Sequence, residues 1–272
     1  MNTKKLKNFI GKFSPNWNKV ISWYVIDLKS GHKTSQNPDV LLYPASSYKI
    51  YIAAAALRQV RKGLLDLNKN TSLMSDFVQK NQLYPIIQKT LRPQQNITIE
   101  HLIKLMLQQS DNRAANSLTT EVGLDYIDEN FGGITQKFKD SIKRRDNDVL
   151  YSEKLAVSAR GLAEFMARLD SGGEDGEIKK YMQNAAPPSD GLLKNTIFYK
   201  AGYLELEYKS GPSWFKKLCR VRYRSQAAIV NDGEFRYAVG IMTRCNSLRF
   251  GSELDLSKFQ KAMENRLKTL NR

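Results

Sequence analysis

A serine and a lysine three residues apart, Ser46 and Lys49, stand at the head of the most apolar run in the chain, Ile50 to Leu57. That pairing can make a nucleophile. A serine hydroxyl is a weak nucleophile at its own pKa and gains reactivity from a neighbouring base, a part that a desolvated amine can play. If the run is helical, Ser46 sits at its N-terminus, where unpaired backbone N–H groups favour developing negative charge, and Lys49 lies on the same face one turn on. The same spacing recurs at Ser30/Lys33 and Ser213/Lys216, both in turn-like sequence, so only the Ser46 copy opens a long apolar helix. The bland alternative is an N-cap serine followed by a solvated lysine.

Two more segments carry groups of the right kind. Ser110-Asp111-Asn112 occurs once, after a helical run from Leu102 that stops at Gln108-Gln109 and before a second run from Arg113 to Val122. Taken alone it reads as a turn in which Ser and Asp cap the following helix. Further on, Thr196-Ile197-Phe198-Tyr199-Lys200 reads as a strand leading into Lys200-Ala201-Gly202. Lys209-Ser210-Gly211 and Lys29-Ser30-Gly31 each separate two strand-like runs and read as hairpin turns.

In this order the segments resemble those of the penicillin-recognising serine enzymes, in which Ser-x-x-Lys, Ser-Asp-Asn and Lys-Thr/Ser-Gly follow one another. The class A β-lactamase branch is the nearest in pattern, and the resemblance covers nearly the whole chain. It is most specific over Tyr43 to Leu57 and Leu105 to Leu118, with softer support at Val25 to Gly31 and Ala227 to Asn231. The resemblance implies acyl transfer. Ser46 would be the nucleophile and Lys49 its base; Ser110 would pass a proton to the departing nitrogen, and Lys200 would supply field and hold a substrate carboxylate. Asn112 would bind the substrate amide or orient Lys49. Ala201, Gly202 and Tyr203 would line the substrate along the strand, with the backbone N–H groups of Ser46 and Tyr203 as oxyanion donors. Arg222 or Arg224 would hold a carboxylate.

The chain departs from the family pattern at two points. Ala201 lacks the usual hydroxyl, and the interval from Gly133 to Ser158, where class A enzymes carry the Glu that activates the deacylating water, has no Glu before Glu153. Asp140, Asp146 and Asp148 are candidate substitutes, each equally explained as a loop or capping carboxylate. The expected function is therefore a β-lactamase-like serine acyl-hydrolase, acting on β-lactams or a related amide and possessing a place in antibiotic response. The alternatives are a penicillin-binding peptidase or amide acyltransferase and, from another class, a non-catalytic anion- or nucleic-acid-binding module on the same fold.

The elements that must position these groups are legible in outline. At 272 residues and 41% hydrophobic, the chain can bury a sizeable core. Strand-like segments lie at both ends, Val20 to Leu28, then Thr196 to Tyr208, Trp214 to Val230 and Phe235 to Arg244, while Ser47 to Leu169 is mainly helical in pattern and Leu254 to Leu270 is an amphipathic helix. This layout predicts an α+β fold of the α/β sandwich type, with one antiparallel sheet built from both termini and a helical lobe inserted between. It is read as one domain over 1–272, with a sheet lobe over about 1–45 and 192–272 and a helical lobe over about 46–191. Asp170 to Glu177 and Ala186 to Gly191 read as flexible connections.

Lys and Arg number 43 against 27 Asp and Glu, for a net charge of +16. Arg220, Arg222 and Arg224 share one face of a strand by period two, and Lys143-Arg144-Arg145 form a second cluster. Such patches can hold anionic surfaces, but no nucleic-acid-binding motif accompanies them, so no specific nucleic acid is expected. The expected partner is a small or peptide-like amide bearing a carboxylate, bound by a monomer. His32 and His101, with Cys219 and Cys245, show no metal-ligand spacing, and no cofactor is expected. Both cysteines fall on the arms of a hairpin turning at Asn231-Asp232-Gly233, where a disulfide depends on the register. No apolar run is long enough to span a bilayer. The basic N-terminal residues Lys4 to Phe13 are not followed by an apolar stretch of secretory length, which predicts a cytoplasmic protein as the sequence stands, or a periplasmic or extracellular one if a leader has been removed.

Overall fold

A computed structural model describes residues 20–74, 96–131, 135–136, 142–145, 148–151, 155–182, 196–207, 219–231, 233 and 235–248. Strands β1 (Val20–Asp27) and β2 (Lys33–Gln36) from the N-terminal side join β9 (Thr196–Glu207), β10 (Cys219–Asn231) and β11 (Arg236–Leu248) in one five-stranded sheet of order β2-β1-β11-β10-β9. The pairings are antiparallel, as expected of a sheet drawn from both ends of the chain. Alternation along β10 feeds two cores: Ala227 and Ile229 join the cluster that includes the helices, and Ala228 and Val230 join a second cluster with Trp23, Val25 and Tyr237 on the other face.

The helical part is built around α1 (Lys49–Arg61), whose residues from Lys49 to Leu57 are all buried. A run of four alanines, Ala53 to Ala56, keeps its waist thin enough to be enclosed on every side. Around it lie α2 (Ile99–Gln108), α3 (Asn112–Val122), α4 (Leu124–Phe131), α5 (Ala159–Asp170) and α6 (Ile178–Met182). Tyr51 of α1 meets Phe165 of α5 edge-on at 4.9 Å and Phe131 of α4 at 5.7 Å. α5 also lies on the sheet, which requires Gly240 of β11: a Cβ there would overlap the Ala159 carbonyl.

Among the described residues, the expected mainly helical middle also contains three two-stranded pairs. These are β3 (Asn70–Ser72) with β4 (Asn96–Thr98), β5 (Thr135–Gln136) with β8 (Ala156–Val157), and β6 (Ile142–Arg145) with β7 (Asp148–Tyr151). The basic cluster Lys143-Arg144-Arg145 thus lies on a hairpin arm, and Asp148 opens the facing arm opposite Arg145. Asp170 to Glu177, expected to be flexible, holds a buried carboxylate: Asp175 accepts from Arg58 Nε at 2.8 Å and Nη2 at 2.7 Å. The ion pair ties this turn to α1. The hairpin register settles the cysteines. Cys219 stands opposite Leu248 and Cys245 opposite Arg222, three ladder positions apart and on opposite faces, about 10 Å along the strand and beyond disulfide reach. Lys4 to Phe13, Ala186 to Gly191, Lys209-Ser210-Gly211, Ser213/Lys216 and Leu254 to Leu270 lie outside the described residues. Among the described residues no helix is long and apolar enough to cross a membrane, and no cluster of metal-ligating side chains occurs.

Candidate active site

Ser46 does not open the α-helix directly. It is the second residue of a 3₁₀ turn, Ala45–Tyr48, that runs straight into α1 at Lys49. Because a 3₁₀ turn has three residues per revolution, positions i and i+3 eclipse, and Lys49 is stacked in line with Ser46. Ser46 is partly exposed while Lys49 is wholly buried, so the hydroxyl is reachable and the amine is not.

The Lys49 ammonium nitrogen reaches across to the turn between α2 and α3. It donates to the Ser110 carbonyl at 2.6 Å and to Asn112 Oδ1 at 2.7 Å, and lies 3.3 Å from Ser110 Oγ. The turn is shaped for this. Ser110 takes a left-handed φ of 57°, which swings its carbonyl toward the lysine, and the N-cap is Asp111 alone. Asp111 accepts from the amides of Arg113 at 2.7 Å and Ala114 at 3.2 Å, and its other oxygen accepts from Arg113 Nη2 at 2.8 Å. Burial pushes the Asp111 carboxyl up, but these hydrogen bonds and the Arg113 charge outweigh it and hold the carboxyl below the usual range.

The third wall is β9, the edge strand of the sheet. Lys200 is buried there, and its amine is held well below the ordinary lysine value, first by burial and then by the charge of Lys49 nearby. Two positions on, Gly202 lies under the 3₁₀ turn. A Cβ at Gly202 would stand 2.8 Å from Ala45 Cβ and from the Pro44 carbonyl oxygen, and would overlap the Ser46 nitrogen. Only glycine allows the strand and the nucleophile turn to lie this close. Two hydroxyls, two amines and an amide therefore converge from three segments far apart in sequence. Such an arrangement can deprotonate a serine in a site shielded from water.

Residues 2–260 match the Beta-lactamase2 family, described as the beta-lactamase enzyme family. The chain belongs to that family. Solved structures share the fold: TLA-3 extended-spectrum β-lactamase has 14% identity over 95% of this chain and 94% of its own, with a TM-score of 0.64. A β-lactamase from Chitinophaga pinensis has 14% identity over 95% of this chain and 99% of its own, with a TM-score of 0.62. PBP-A has 18% identity over 89% of this chain and 88% of its own, with a TM-score of 0.59, and a mutant of it was captured as an acyl-enzyme complex with penicillin G. No curated protein matches the chain significantly. Family and fold make this a β-lactamase-like serine hydrolase with the β-lactamase/transpeptidase-like architecture.

For a member of this family the remaining candidates divide by sheet face. Lys200 and Gly202 pair with Ala227 and Ser225 and face the nucleophile turn, whereas Ala201 and Tyr203 pair with Gln226 and Arg224 on the other face. Arg224 is buried with its guanidinium 5.2 Å above the Tyr203 ring, and Arg222 stands opposite Glu205 in the ladder. The structure thus brings together Ser46, Lys49, Ser110, Asn112, Lys200 and Gly202, and sets Arg222 and Arg224 on the opposite face from Lys200. Ser30 and Lys33, the rival copy, sit around the β1–β2 turn, where Asp27 Oδ1 accepts from the Lys29 and Ser30 amides at 2.9 and 3.3 Å. Asp148 is a strand residue of β7, and Asp140 and Asp146 lie outside the described residues.

Arg113 was not singled out by its sequence, yet its buried pair with Asp111 holds the turn that grips Lys49. Arg113→Met leaves a buried carboxylate without its cation, and should destabilise the protein by about 3 kcal/mol at pH 7. Asp111 contributes its stability above the ordinary carboxylate range and loses it as pH falls through the depressed folded value. The gap between variant and parent should therefore narrow below about pH 4. Denaturant melts at pH 7 and pH 3.5 check this; an equal gap at both would detach Arg113 from Asp111.

Proposed function

We propose that the protein, acting as a single catalytic domain, is an acyl-transferring serine hydrolase that forms an acyl-enzyme on Ser46 with β-lactams or a related amide. The observation that carries this reading is the burial of Lys49 one 3₁₀ turn beyond a reachable Ser46, gripped by the Ser110 carbonyl and Asn112. In its neutral form Lys49 donates two hydrogen bonds to those two acceptors and keeps its lone pair for a hydroxyl proton. Ser46 Oγ then attacks the carbonyl as its proton passes to Lys49. Ser110, 3.3 Å from the same amine, relays the proton to the departing nitrogen. The backbone N–H groups of Ser46 and Tyr203 serve as oxyanion donors, worth roughly 10²-fold or more in rate. Lys200 supplies positive field and, with the strand backbone at Ala201 and Gly202, holds a substrate carboxylate; Arg222 and Arg224, on the other face of the sheet, are left out of that role.

A fluorescent penicillin tests the reading. Covalent labelling of the parent and its loss in Ser46→Ala, with an unchanged melting temperature, is the expected result. Labelling that persists in Ser46→Ala and vanishes in Ser30→Ala or Ser213→Ala would move the nucleophile to another copy of the motif. Salt-sensitive binding to polyanions without labelling would instead support the anion-binding module.

A second reading within the class is a penicillin-binding peptidase or an amide acyltransferase. It is favoured by the interval from Gly133 to Ser158, which carries no Glu before Glu153 and in which β6 and β7 form a hairpin. Such a protein acylates readily and depends on an acceptor other than an activated water.

A further inference from the structure

Ser225 lies outside all three motif segments, buried on β10 directly opposite Gly202. Its hydroxyl donates to the Pro44 carbonyl, two residues before the nucleophile. The same carbonyl accepts from the Ser47 amide at 3.1 Å and from Ser47 Oγ at 2.8 Å. Ala45, between Pro44 and Ser46, has a φ of 46°, a left-handed conformation rare for a residue with a side chain. A backbone held there needs surroundings that over-determine it.

The geometry shows how it is held. The Pro44 carbonyl belongs to the Pro44–Ala45 peptide, whose plane sets φ of Ala45 and so the direction of the next peptide, which carries the Ser46 N–H. From below, the bare Cα of Gly202 leaves room for the turn to settle on β9, and the same gap lets Ser225 reach past the edge strand to Pro44. We infer that Ser225 is a positioning residue for acylation: it anchors the turn carrying Ser46 to the sheet carrying Lys200 and aims the Ser46 N–H and hydroxyl together. A structural role alone predicts a different phenotype. Ser47 already satisfies the Pro44 carbonyl twice, so losing the Ser225 hydroxyl strands no buried acceptor and should change stability little. What is lost is the tether between two parts of the site.

The inference rests on the acyl-transfer reading above. With the fluorescent penicillin, Ser225→Ala should lower the acylation rate at saturation by roughly tenfold or more, since a misaimed oxyanion donor forfeits part of its effect. The constant for reversible binding before acylation should stay within about twofold, because ground-state contacts are untouched. Ser225→Thr, which keeps the hydroxyl, should recover most of the rate. An acylation rate equal to the parent's in Ser225→Ala, or a loss confined to reversible binding, overturns the inference and leaves the Ser46 reading intact. If the parent protein itself never labels, that reading fails on its own, and crystal structures decide the positioning. Ala45 leaving positive φ in Ser225→Ala supports the tether, and Ala45 keeping it overturns the tether.

Discussion

Replacing Lys200 with methionine is expected to make the protein harder to unfold and nearly inert toward penicillin. The two effects share one cause. Lys200 is buried on β9 beside the equally buried Lys49, and its amine is held well below the ordinary 10.5 by burial first and by the Lys49 charge second. A group that binds its proton less tightly when folded than when unfolded opposes folding wherever it is protonated in the unfolded chain. Stability therefore rises with pH between the depressed folded value and 10.5, and the opposition is fully present below that window. Methionine fills a similar volume without charge, and replacing buried ionic groups by well-packed apolar side chains is often neutral or stabilising, by up to about 4 kcal/mol. The gain over the parent should be largest below the depressed folded value and shrink as pH rises toward 10.5. Acylation should fall by about 10²-fold or more, the scale of a lost electrostatic donor in a shielded site. Lys209→Ala, at the rival Lys-Ser-Gly, should be nearly silent in both measurements. A Lys200→Met variant that melts below its parent at pH 7 and still labels at the parent's rate would make Lys200 a structural cation rather than part of the site.

What the sequence discloses and what it conceals divide along physical lines. Ser46 and Lys49 are legible because a three-residue spacing at the mouth of an apolar helix survives either helical form; the 3₁₀ turn only sharpens the alignment. The sheet is legible because Ala227 to Val230 and their neighbours alternate between two cores, and its composition from both ends of the chain follows from where the strand-like runs lie. The Asp111–Arg113 pair is concealed by its spacing. Residues two apart on a helix do not face each other, and this pair meets only because Asp111 is an N-cap in extended conformation, with its side chain folded back over the first turn. Ser225 is concealed for a different reason. Its partner is 181 residues away, and a one-residue change of register would turn its hydroxyl to the other face. The cysteines illustrate the same sensitivity, since an offset of three along the ladder is what separates them. The hairpin of β6 and β7 defeats pattern reading outright: Lys143 to Arg145 is a run of charge with no alternation to mark a strand.

That hairpin bears on the last expected result. Mixed with a chromogenic cephalosporin, the protein should release about one equivalent of chromophore in a burst and then turn over slowly. On the proposed reading, forming the acyl-enzyme draws on Ser46, Lys49, Ser110 and Lys200, groups that converge from the 3₁₀ turn and the start of α1, the α2–α3 turn and β9. Clearing it needs something else, a base that points a water at the ester from the side away from the departed nitrogen. The stretch in which class A enzymes keep that base carries no Glu before Glu153 here, and Asp148, one of its few carboxylates, opens β7 opposite Arg145. The acyl-enzyme should therefore persist long enough to be seen by intact-mass spectrometry, as a single adduct that disappears over minutes or longer and is absent in Ser46→Ala. A small acceptor amine that shortens the adduct's life more than water does would favour the acyltransferase over the hydrolase. Steady turnover at tens per second, which is ordinary for an enzyme, would overturn the slow step. The search would then pass to Asp140, Asp146 and Asp148, each replaced by Asn, for the one whose loss converts fast turnover into a burst.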